Sequence, residues 1–189
     1  MSQPTEPQSG IPATSAPRAK YAFLFLSLAV LVLDQWTKWL VEAHLPRGIV
    51  EPIVPGLLNL VHVKNTGIAF GLFATGDGRA TWLLAALGIV VLGVVLVYLR
   101  VTPASDRLLI VALCLVAGGA VGNLLDRIAA GSVTDFIDVY VGSHHWPAFN
   151  VADSAISIGI VLMLLDTLRR REPQDEEATE AEADATAAS

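Results

Sequence analysis

Four apolar segments dominate this chain of 189 residues, and each is long enough to cross a membrane as a helix. About 20 residues at a rise of about 1.5 Å span a hydrocarbon core about 30 Å thick. The segments are residues 21–41, 82–99, 108–125 and 151–168. The chain is 53% hydrophobic and only 16% charged. We therefore predict an all-α polytopic membrane protein with four transmembrane helices.

The two ends of the chain differ from this membrane body. Residues 1–20 are rich in Pro, Ser and Thr, and residues 172–189 are acidic and lack aromatic residues, so both are predicted to be disordered. The membrane domain is then residues 21–171. The formal charge of −6 comes largely from the acidic tail. A near-neutral body argues against nucleic-acid binding, and the single cysteine, Cys114, excludes an intrachain disulfide.

Basic residues predict the orientation. Those before the first segment, between the second and third, and after the fourth fall on one side, at positions 18, 20, 100, 107, 169, 170 and 171. Because basic residues are enriched in cytoplasmic loops, we expect both termini in the cytoplasm. The connections 42–81 and 126–150 then lie outside, and residues 58–64 alternate as a short β-element does.

Two aspartates stand at the outer ends of membrane segments. Asp135 follows the third segment, and Asp153 lies at the start of the fourth. Ionisable residues near hydrocarbon are functional candidates, since burying a carboxylate there costs free energy. Two neighbouring carboxylates that share one proton can activate water and protonate a carbonyl oxygen. This pair is the candidate catalytic dyad.

Further polar residues are predicted at the same level. Asp34 and Lys38 are four apart on one helix and can pair, which is also how an ordinary ion pair orients a helix end. Asn65 and Gly67 belong to a turn that is ordinary in itself. The third segment ends with Asn123, Asp126 and Arg127 on one helical face. Asp126 and Arg127 are expected to hold the outer loops through charge-assisted hydrogen bonds.

Other chemistries remain as alternatives. Membrane aspartates also occur in proton- or ion-coupled transporters. Asp126, Asp135 and Asp138 would be the oxygen ligands of a Mg²⁺-dependent enzyme. Two other aspartates are poorer candidates for the dyad. Asp138 is expected to be solvated, and Asp166 lies about 20 Å from Asp153 along the helix, which is too far for the two to form a pair. No HExxH zinc motif is present.

Five stretches together resemble the lipoprotein signal peptidase (signal peptidase II) family of bacterial membrane aspartyl peptidases. They are DQWTK (34–38), NTGIAFG (65–71), GGAVGNLLDR (118–127), VTDF (133–136) and FNVADS (149–154). Each stretch alone is weakly specific, but five in the family's order on a four-helix pattern are strongly so. The resemblance covers roughly residues 21–171.

The resemblance implies a function and roles for the residues. Asp135 and Asp153 would be catalytic, and the residues shaping the site would be Asp34, Lys38, Asn65, Gly67, Asn123, Asp126, Arg127 and Asn150. The substrate would be a prolipoprotein cut before a diacylglyceryl-modified cysteine, with its lipid lying in the membrane beside the site. The implied inhibitor is the cyclic peptide globomycin. No metal or organic cofactor is implied, and we expect a monomer in the bacterial cell membrane.

Overall fold

The computed structural model describes residues 22–67 and 79–187. Within these ranges the chain forms four helices and four strands. In chain order they are α1 (Leu24–His44), β1 (Val50–Val54), β2 (Leu58–Asn65), α2 (Arg79–Val101), α3 (Arg107–Ala130), β3 (Val133–Val141), β4 (His144–His145) and α4 (Val151–Ala187). All four helices are long and apolar enough to cross a membrane, which confirms the predicted fold class.

The helix bounds differ from the predicted segments. The C-terminal ends of all four helices lie beyond the predicted ends. Hydrophobicity marks only the apolar part of a span, whereas helical hydrogen bonding continues into the polar flanks. α3 ends at Ala130 and so includes Asp126 and Arg127. α4 continues to Ala187, through residues predicted to be disordered. Ala and Glu are abundant there, and both favour helix. The predicted N-terminal lead, residues 1–20, lies outside the described residues.

α3 is the central helix of the bundle. Of its membrane span 61% is buried, against 22% or less for the other three, and it packs against each of them. Two glycines permit close contact. A Cβ atom at Gly118 would lie 2.6 Å from the backbone oxygen of Ser27 on α1, and one at Gly119 would lie 2.4 Å from that of Ala152 on α4. α3 therefore holds α1 and α4 at fixed positions.

The strands form one antiparallel sheet in the order β1-β2-β3-β4. The prediction placed a β-element only in the first connection, whereas β3 comes from the second. The β-branched and aromatic residues of Val133–Val141 are typical of a strand. Their alternation is obscured because the first four residues of β3 are all buried. The sheet therefore joins the two connections, which sequence reasoning treated separately.

Asp138 corrects one prediction. It was expected in a solvated loop, but it lies on β3 and is 8% exposed. Asn59 Nδ2 donates to its Oδ2 at 2.8 Å, and Nδ1 of His145 lies 3.0 Å from its Oδ1. Although burial raises it, these hydrogen bonds and the His145 charge hold the pKa of Asp138 below its ordinary value. Asp138 thus ties β2, β3 and β4 together.

Candidate active site

Asp135 and Asp153 are brought together by Asn150. Asp135 lies near the start of β3, and Asp153 lies in the first turn of α4. Nδ2 of Asn150 donates to Oδ1 of Asp135 at 2.8 Å, while its backbone N–H donates to Oδ2 of Asp153 at 3.3 Å. The two carboxylates are therefore within reach of a single residue, and their charges interact.

The start of α4 fixes Asp153 locally. Oδ1 of Asn150 accepts a hydrogen bond from the backbone N–H of Asp153 at 2.9 Å, and the Asp153 carboxylate accepts one from the backbone N–H of Asn150. This reciprocal pair is a capping box, in which the residue before a helix and the third helical residue satisfy each other's free N–H groups. The sequence Asn150-Val151-Ala152-Asp153 is sufficient to form it.

The remaining oxygens of the dyad accept from two other amides. Nδ2 of Asn65 donates to Oδ2 of Asp135 at 2.9 Å, and Nδ2 of Asn123 donates to Oδ1 of Asp153 at 2.7 Å. Each of the four carboxylate oxygens thus has an uncharged N–H donor in the described part of the chain. Uncharged donors hold the geometry without requiring both carboxylates to be ionised.

Burial sets the protonation of Asp135. The side chain is 2% exposed, and this desolvation raises its pKa to about 6. The hydrogen bond from Asn65 opposes the rise, the neighbouring Asp153 carboxylate adds to it, and the Asn150 hydrogen bond and the Lys38 charge oppose it. Asp135 therefore keeps a proton up to a higher pH than an exposed aspartate does, and one-proton chemistry between two carboxylates requires such a proton.

Lys38 is the centre of a buried charge network behind the pair. Its Nζ lies 2.8 Å from Oδ2 of Asp34, 2.8 Å from Oδ2 of Asp126 and 3.1 Å from Oδ1 of Asn123. Oδ1 of Asp34 accepts the backbone N–H of Ala152 at 2.9 Å. The predicted pairing of Asp34 with Lys38 is present. The pair lies inside the protein, where it connects α1 to the start of α4.

Asp126 and Arg127 were expected to hold the outer loops, but their hydrogen-bond and ion-pair partners among residues 22–67 and 79–187 lie on helices. Asp126 accepts from Nε2 of Gln35 on α1 at 2.8 Å, besides pairing with Lys38. Arg127 donates from Nη1 to the backbone oxygen of Asn123 at 3.1 Å. Its charge interacts with those of Asp153, Asp135 and Asp126, so it contributes a positive charge near the pair.

Gly67 orients the Asn65 amide. Its backbone N–H donates to Oδ1 of Asn65 at 2.8 Å, which directs Nδ2 of the same amide toward Asp135. Gly67 has φ +90°, and a Cβ atom there would lie 2.4 Å from Cδ1 of Leu84 on α2. The positive φ favours glycine at this turn, whereas the Leu84 methyl group is the end of a flexible side chain that could move aside.

A cavity of about 330 Å³ opens beside Asp135. Its walls come from the end of β2, from β3 and from the segment before α4: Val63, Lys64, Asn65, Thr66, Asp135, Pro147 and Ala148. The cavity therefore borders one carboxylate of the pair.

The three aspartates of the magnesium alternative have separate partners. Asp126 pairs with Lys38, Asp135 accepts from two asparagine amides, and Asp138 contacts Asn59 and His145. Residues 22–67 and 79–187 hold no group of three or more His, Cys, Asp or Glu side chains positioned to bind a metal ion. The donor set therefore does not support this alternative.

Sequence reasoning missed two residues that support the site. Thr81, at the start of α2, is 3% exposed, and its Oγ1 lies 3.0 Å from the backbone oxygens of both Thr66 and Gly131. It joins the Asn65 turn to the end of α3. Gln35 binds Asp126, as described above. Only its position beside Asp34 could have indicated Gln35, and nothing in the local sequence distinguishes Thr81.

The chain is similar to known proteins along most of its length. The family described as signal peptidase (SPase) II matches residues 26–169. The lipoprotein signal peptidase of Polynucleobacter necessarius subsp. necessarius (strain STIR1) is 41% identical over 148 residues, which cover 78% of this chain and 90% of that protein. The lipoprotein signal peptidase of Cupriavidus taiwanensis is 45% identical over 148 residues, covering 78% and 83%.

A solved structure shares the fold. It is described as a bacterial membrane enzyme structure obtained by the in meso method at 1.9 Å resolution, and it superposes with a TM-score of 0.70 at 27% identity. The match covers 78% of this chain and 92% of that one. The family match over residues 26–169, together with relatives more than 40% identical over most of their length, shows that this chain belongs to the signal peptidase II family.

Proposed function

We propose that this protein removes signal peptides from prolipoproteins as an aspartic endopeptidase, with Asp135 and Asp153 as the catalytic dyad. The observation that carries the proposal is the bridge through Asn150, which places one buried carboxylate of raised pKa beside a second at a helix N-terminus. An aspartic peptidase needs such a pair with one proton between its members.

The reaction follows from this arrangement. The ionised carboxylate of the pair accepts a proton from a water molecule as the water oxygen attacks the scissile carbonyl carbon. The protonated carboxylate, Asp135, donates its proton to the carbonyl oxygen. As the tetrahedral intermediate collapses, the C–N bond breaks and the leaving nitrogen takes the proton that the first carboxylate accepted from water. One hydroxyl proton of the intermediate returns to Asp135 as the C=O bond re-forms. The products are a signal peptide with a new carboxylate and a lipoprotein with a new amino terminus.

The substrate proposal combines the family with the position of the site. The relatives are named lipoprotein signal peptidases, and the proposed dyad lies on β3 and at the start of α4, beside the end of α3. A diacylglyceryl group on the substrate cysteine would remain in lipid beside the bundle. Binding energy from that remote group can position the scissile bond. Globomycin-type cyclic peptides are the expected inhibitors of the same cavity.

The orientation proposal rests on the basic residues. With both termini cytoplasmic, the sheet and the dyad lie at the outer face of the membrane, where a membrane-inserted signal peptide presents its cleavage site. A cysteine at position 189 on a Cys114→Ser background should react with an impermeant reagent only after the cells are opened. Labelling of intact cells at that position would contradict the orientation.

Asparagine substitutions test the dyad. Asp135→Asn and Asp153→Asn should each lower the cleavage rate of a diacylglyceryl-modified prolipoprotein peptide by more than about a hundredfold, because the amide cannot exchange the shared proton. The purified variants are compared with wild type at equal folded protein, with and without EDTA.

Asp166→Asn is the matched control, because Asp166 lies on the same helix and pairs with Arg170 far from the dyad. It should leave the rate within about twofold of wild type, a barrier change of under about 0.5 kcal/mol. Retention of more than about a tenth of the wild-type rate by Asp135→Asn or Asp153→Asn would remove that residue from the dyad. Loss of activity with EDTA would favour a metal-dependent reaction.

A further inference from the structure

The pairing of β2 with β3 contains a bulge immediately before the site. Leu60 pairs with Ile137, but Val63 pairs with Asp135, so two residues of β2, Val61 and His62, lie opposite one residue of β3. Such an extra residue bends its strand and shifts the residues that follow by one position. The residues that follow include Lys64 and Asn65, both of which contact β3.

The bulge decides which β2 residue meets Asp135. After it, Lys64 faces Thr134 and donates to its hydroxyl at 2.8 Å, and Asn65 reaches Asp135. If the register at Leu60 continued without a bulge, Val63 rather than Lys64 would face Thr134. A one-residue slip also turns every following side chain to the opposite face of the sheet. The Asn65 amide would then point away from the candidate dyad.

His62 holds the extra residue in place. It is 6% exposed, and its Nδ1 lies 2.7 Å from the backbone oxygen of Leu45, the residue that ends α1. A carbonyl oxygen only accepts, so Nδ1 is the donor. The backbone N–H of Gly48 also donates to the His62 carbonyl, at 3.4 Å. The bulge is thus attached to the end of α1 by the His62 side chain and to the loop between α1 and β1 by the His62 backbone.

The other ring nitrogen of His62, Nε2, does not contribute to the stability of the fold. Nε2 is buried and has no hydrogen-bond partner within the described residues. An unsatisfied buried polar atom is unfavourable, and a phenylalanine of similar size would remove it. Phenylalanine would also remove the bond to Leu45. Stability and positioning therefore respond differently to this substitution.

We propose that His62 is a positioning residue: its hydrogen bond to Leu45 holds the bulge of β2 and thereby sets the register that presents the Asn65 amide to Asp135. This inference rests on the proposed role of Asp135 in the dyad. His62 acts through Asn65 and does not itself contact the reacting groups.

Kinetics with three histidine variants test the proposal. His62→Phe should lower kcat by about tenfold with KM within about twofold, a change of about 1.4 kcal/mol in the barrier. His62→Asn should keep most of the activity, because its Nδ2 can donate from nearly the position of the histidine Nδ1. The matched control is His44→Phe, since Nδ1 of exposed His44 contacts the α1 carbonyl of Leu40 at 2.9 Å but holds no strand. His44→Phe should be indistinguishable from wild type.

A double-variant comparison separates positioning from general destabilisation. On an Asn65→Ala background, His62→Phe should change kcat by less than about twofold, because the amide that it positions is gone. The thermal unfolding midpoint of His62→Phe should not fall. An unchanged kcat in His62→Phe, or a full tenfold loss on the Asn65→Ala background, would overturn the proposal.

Cysteine pairs report the register directly and do not depend on activity. On a Cys114→Ser background, the pair Lys64→Cys with Thr134→Cys should form a disulfide, since directly opposed strand residues are close enough. Adding His62→Phe should shift crosslinking toward Val63→Cys with Thr134→Cys. A pair ahead of the bulge, Leu58→Cys with Val139→Cys, should crosslink in both cases.

Failure of the register role of His62 can be distinguished from failure of the proposed dyad. If His62→Phe leaves the crosslinking pattern of wild type, the register role is wrong, whatever the dyad does. If the pattern shifts but Asp135→Asn remains active, the dyad assignment fails while the structural role of His62 stands.

Discussion

Asn150 is the uncharged residue that contacts both carboxylates of the candidate site. It is fully buried, caps α4 with its side-chain oxygen and donates to both carboxylates, from Nδ2 to Asp135 and from its backbone to Asp153. Nδ2 also lies 3.3 Å from Oδ1 of Asn123. The same residue therefore begins α4 and sets the geometry of the two carboxylates, so a shift of the start of α4 would also change the distance between them.

The raised pKa of Asp135 predicts a pH limit on cleavage. Below about pH 6 the buried carboxyl keeps its proton, and above that pH the proton is lost. Since the proposed reaction needs one proton on the pair, kcat/KM should fall about tenfold per pH unit on the alkaline side of about pH 6. Asn65→Ala removes a hydrogen bond that lowers this pKa, so the alkaline limb should move to higher pH.

Asn59→Ala is the control for this pH profile. Asn59 lies on the same strand and donates to Asp138 instead of Asp135, so its loss should leave the limb in place. The measurement is the pH dependence of kcat/KM, which reports the free enzyme. A limb that moves to lower pH in Asn65→Ala would contradict the electrostatic account of Asp135.

The start of α4 is held by α1 through buried charges. Asp34 is fully buried, accepts the backbone N–H of Ala152 and pairs with Lys38, which also contacts Asp126. A Cβ atom at Gly122 on α3 would lie 2.6 Å from Oδ2 of Asp34, so the three helices meet at this carboxylate. Removing one partner of such a network leaves the others buried and only partly paired.

Asp34→Ala should lower the free energy of unfolding by about 3 kcal/mol, because it removes a buried ion-pair partner and frees a helix N–H. Asp34→Asn should be milder, since Oδ1 can still accept from Ala152. Thermal or denaturant unfolding in detergent gives the comparison. Asp166→Ala breaks the partly exposed pair with Arg170 and serves as the control, with an expected loss below about 1 kcal/mol. Equal losses at positions 34 and 166 would show that the network adds nothing beyond a surface pair.

The two carboxylates of the candidate site and the sheet lie at one end of the apolar helix bundle. α3 packs at the centre, and the sheet lies at the end where α1 and α3 finish and α4 begins. At the opposite end Arg170 pairs with Asp106 at 3.0 Å and with Asp166 at 2.8 Å. The two ends are about one membrane thickness apart, so the acidic continuation of α4 is remote from Asp153.

Deleting residues 172–189 should leave cleavage within about twofold of wild type, because the deletion begins about 28 Å along α4 from Asp153. Specific activity at equal folded protein is the measurement. A longer deletion that begins at residue 169 is the comparison. It removes Arg170 with its ion pairs and should lower the unfolding midpoint. A large loss of activity in the shorter deletion would mean that the acidic segment acts on the site.

Local features of the sequence were sufficient for much of this structure. The four spans follow from hydrophobicity, since a membrane helix satisfies its own backbone hydrogen bonds and needs only an apolar surface. The capping box of Asn150 and Asp153, the ion pair of Asp34 with Lys38 and the turn at Gly67 depend on residues within four positions of each other. Such contacts are fixed by helix and turn geometry and can be predicted from spacing.

Only the tertiary structure decided how these parts combine. Asp34 meets Ala152 across 118 positions, and Asn65 meets Asp135 across 70. The strand β3 was missed because its first residues are buried on both faces, which removes the alternation that marks a strand. The bulge at His62 and the partners of Asp138 depend on the pairing of two distant connections. Contacts of this kind depend on how helices pack and strands align, because the local preferences of each segment are compatible with many partners.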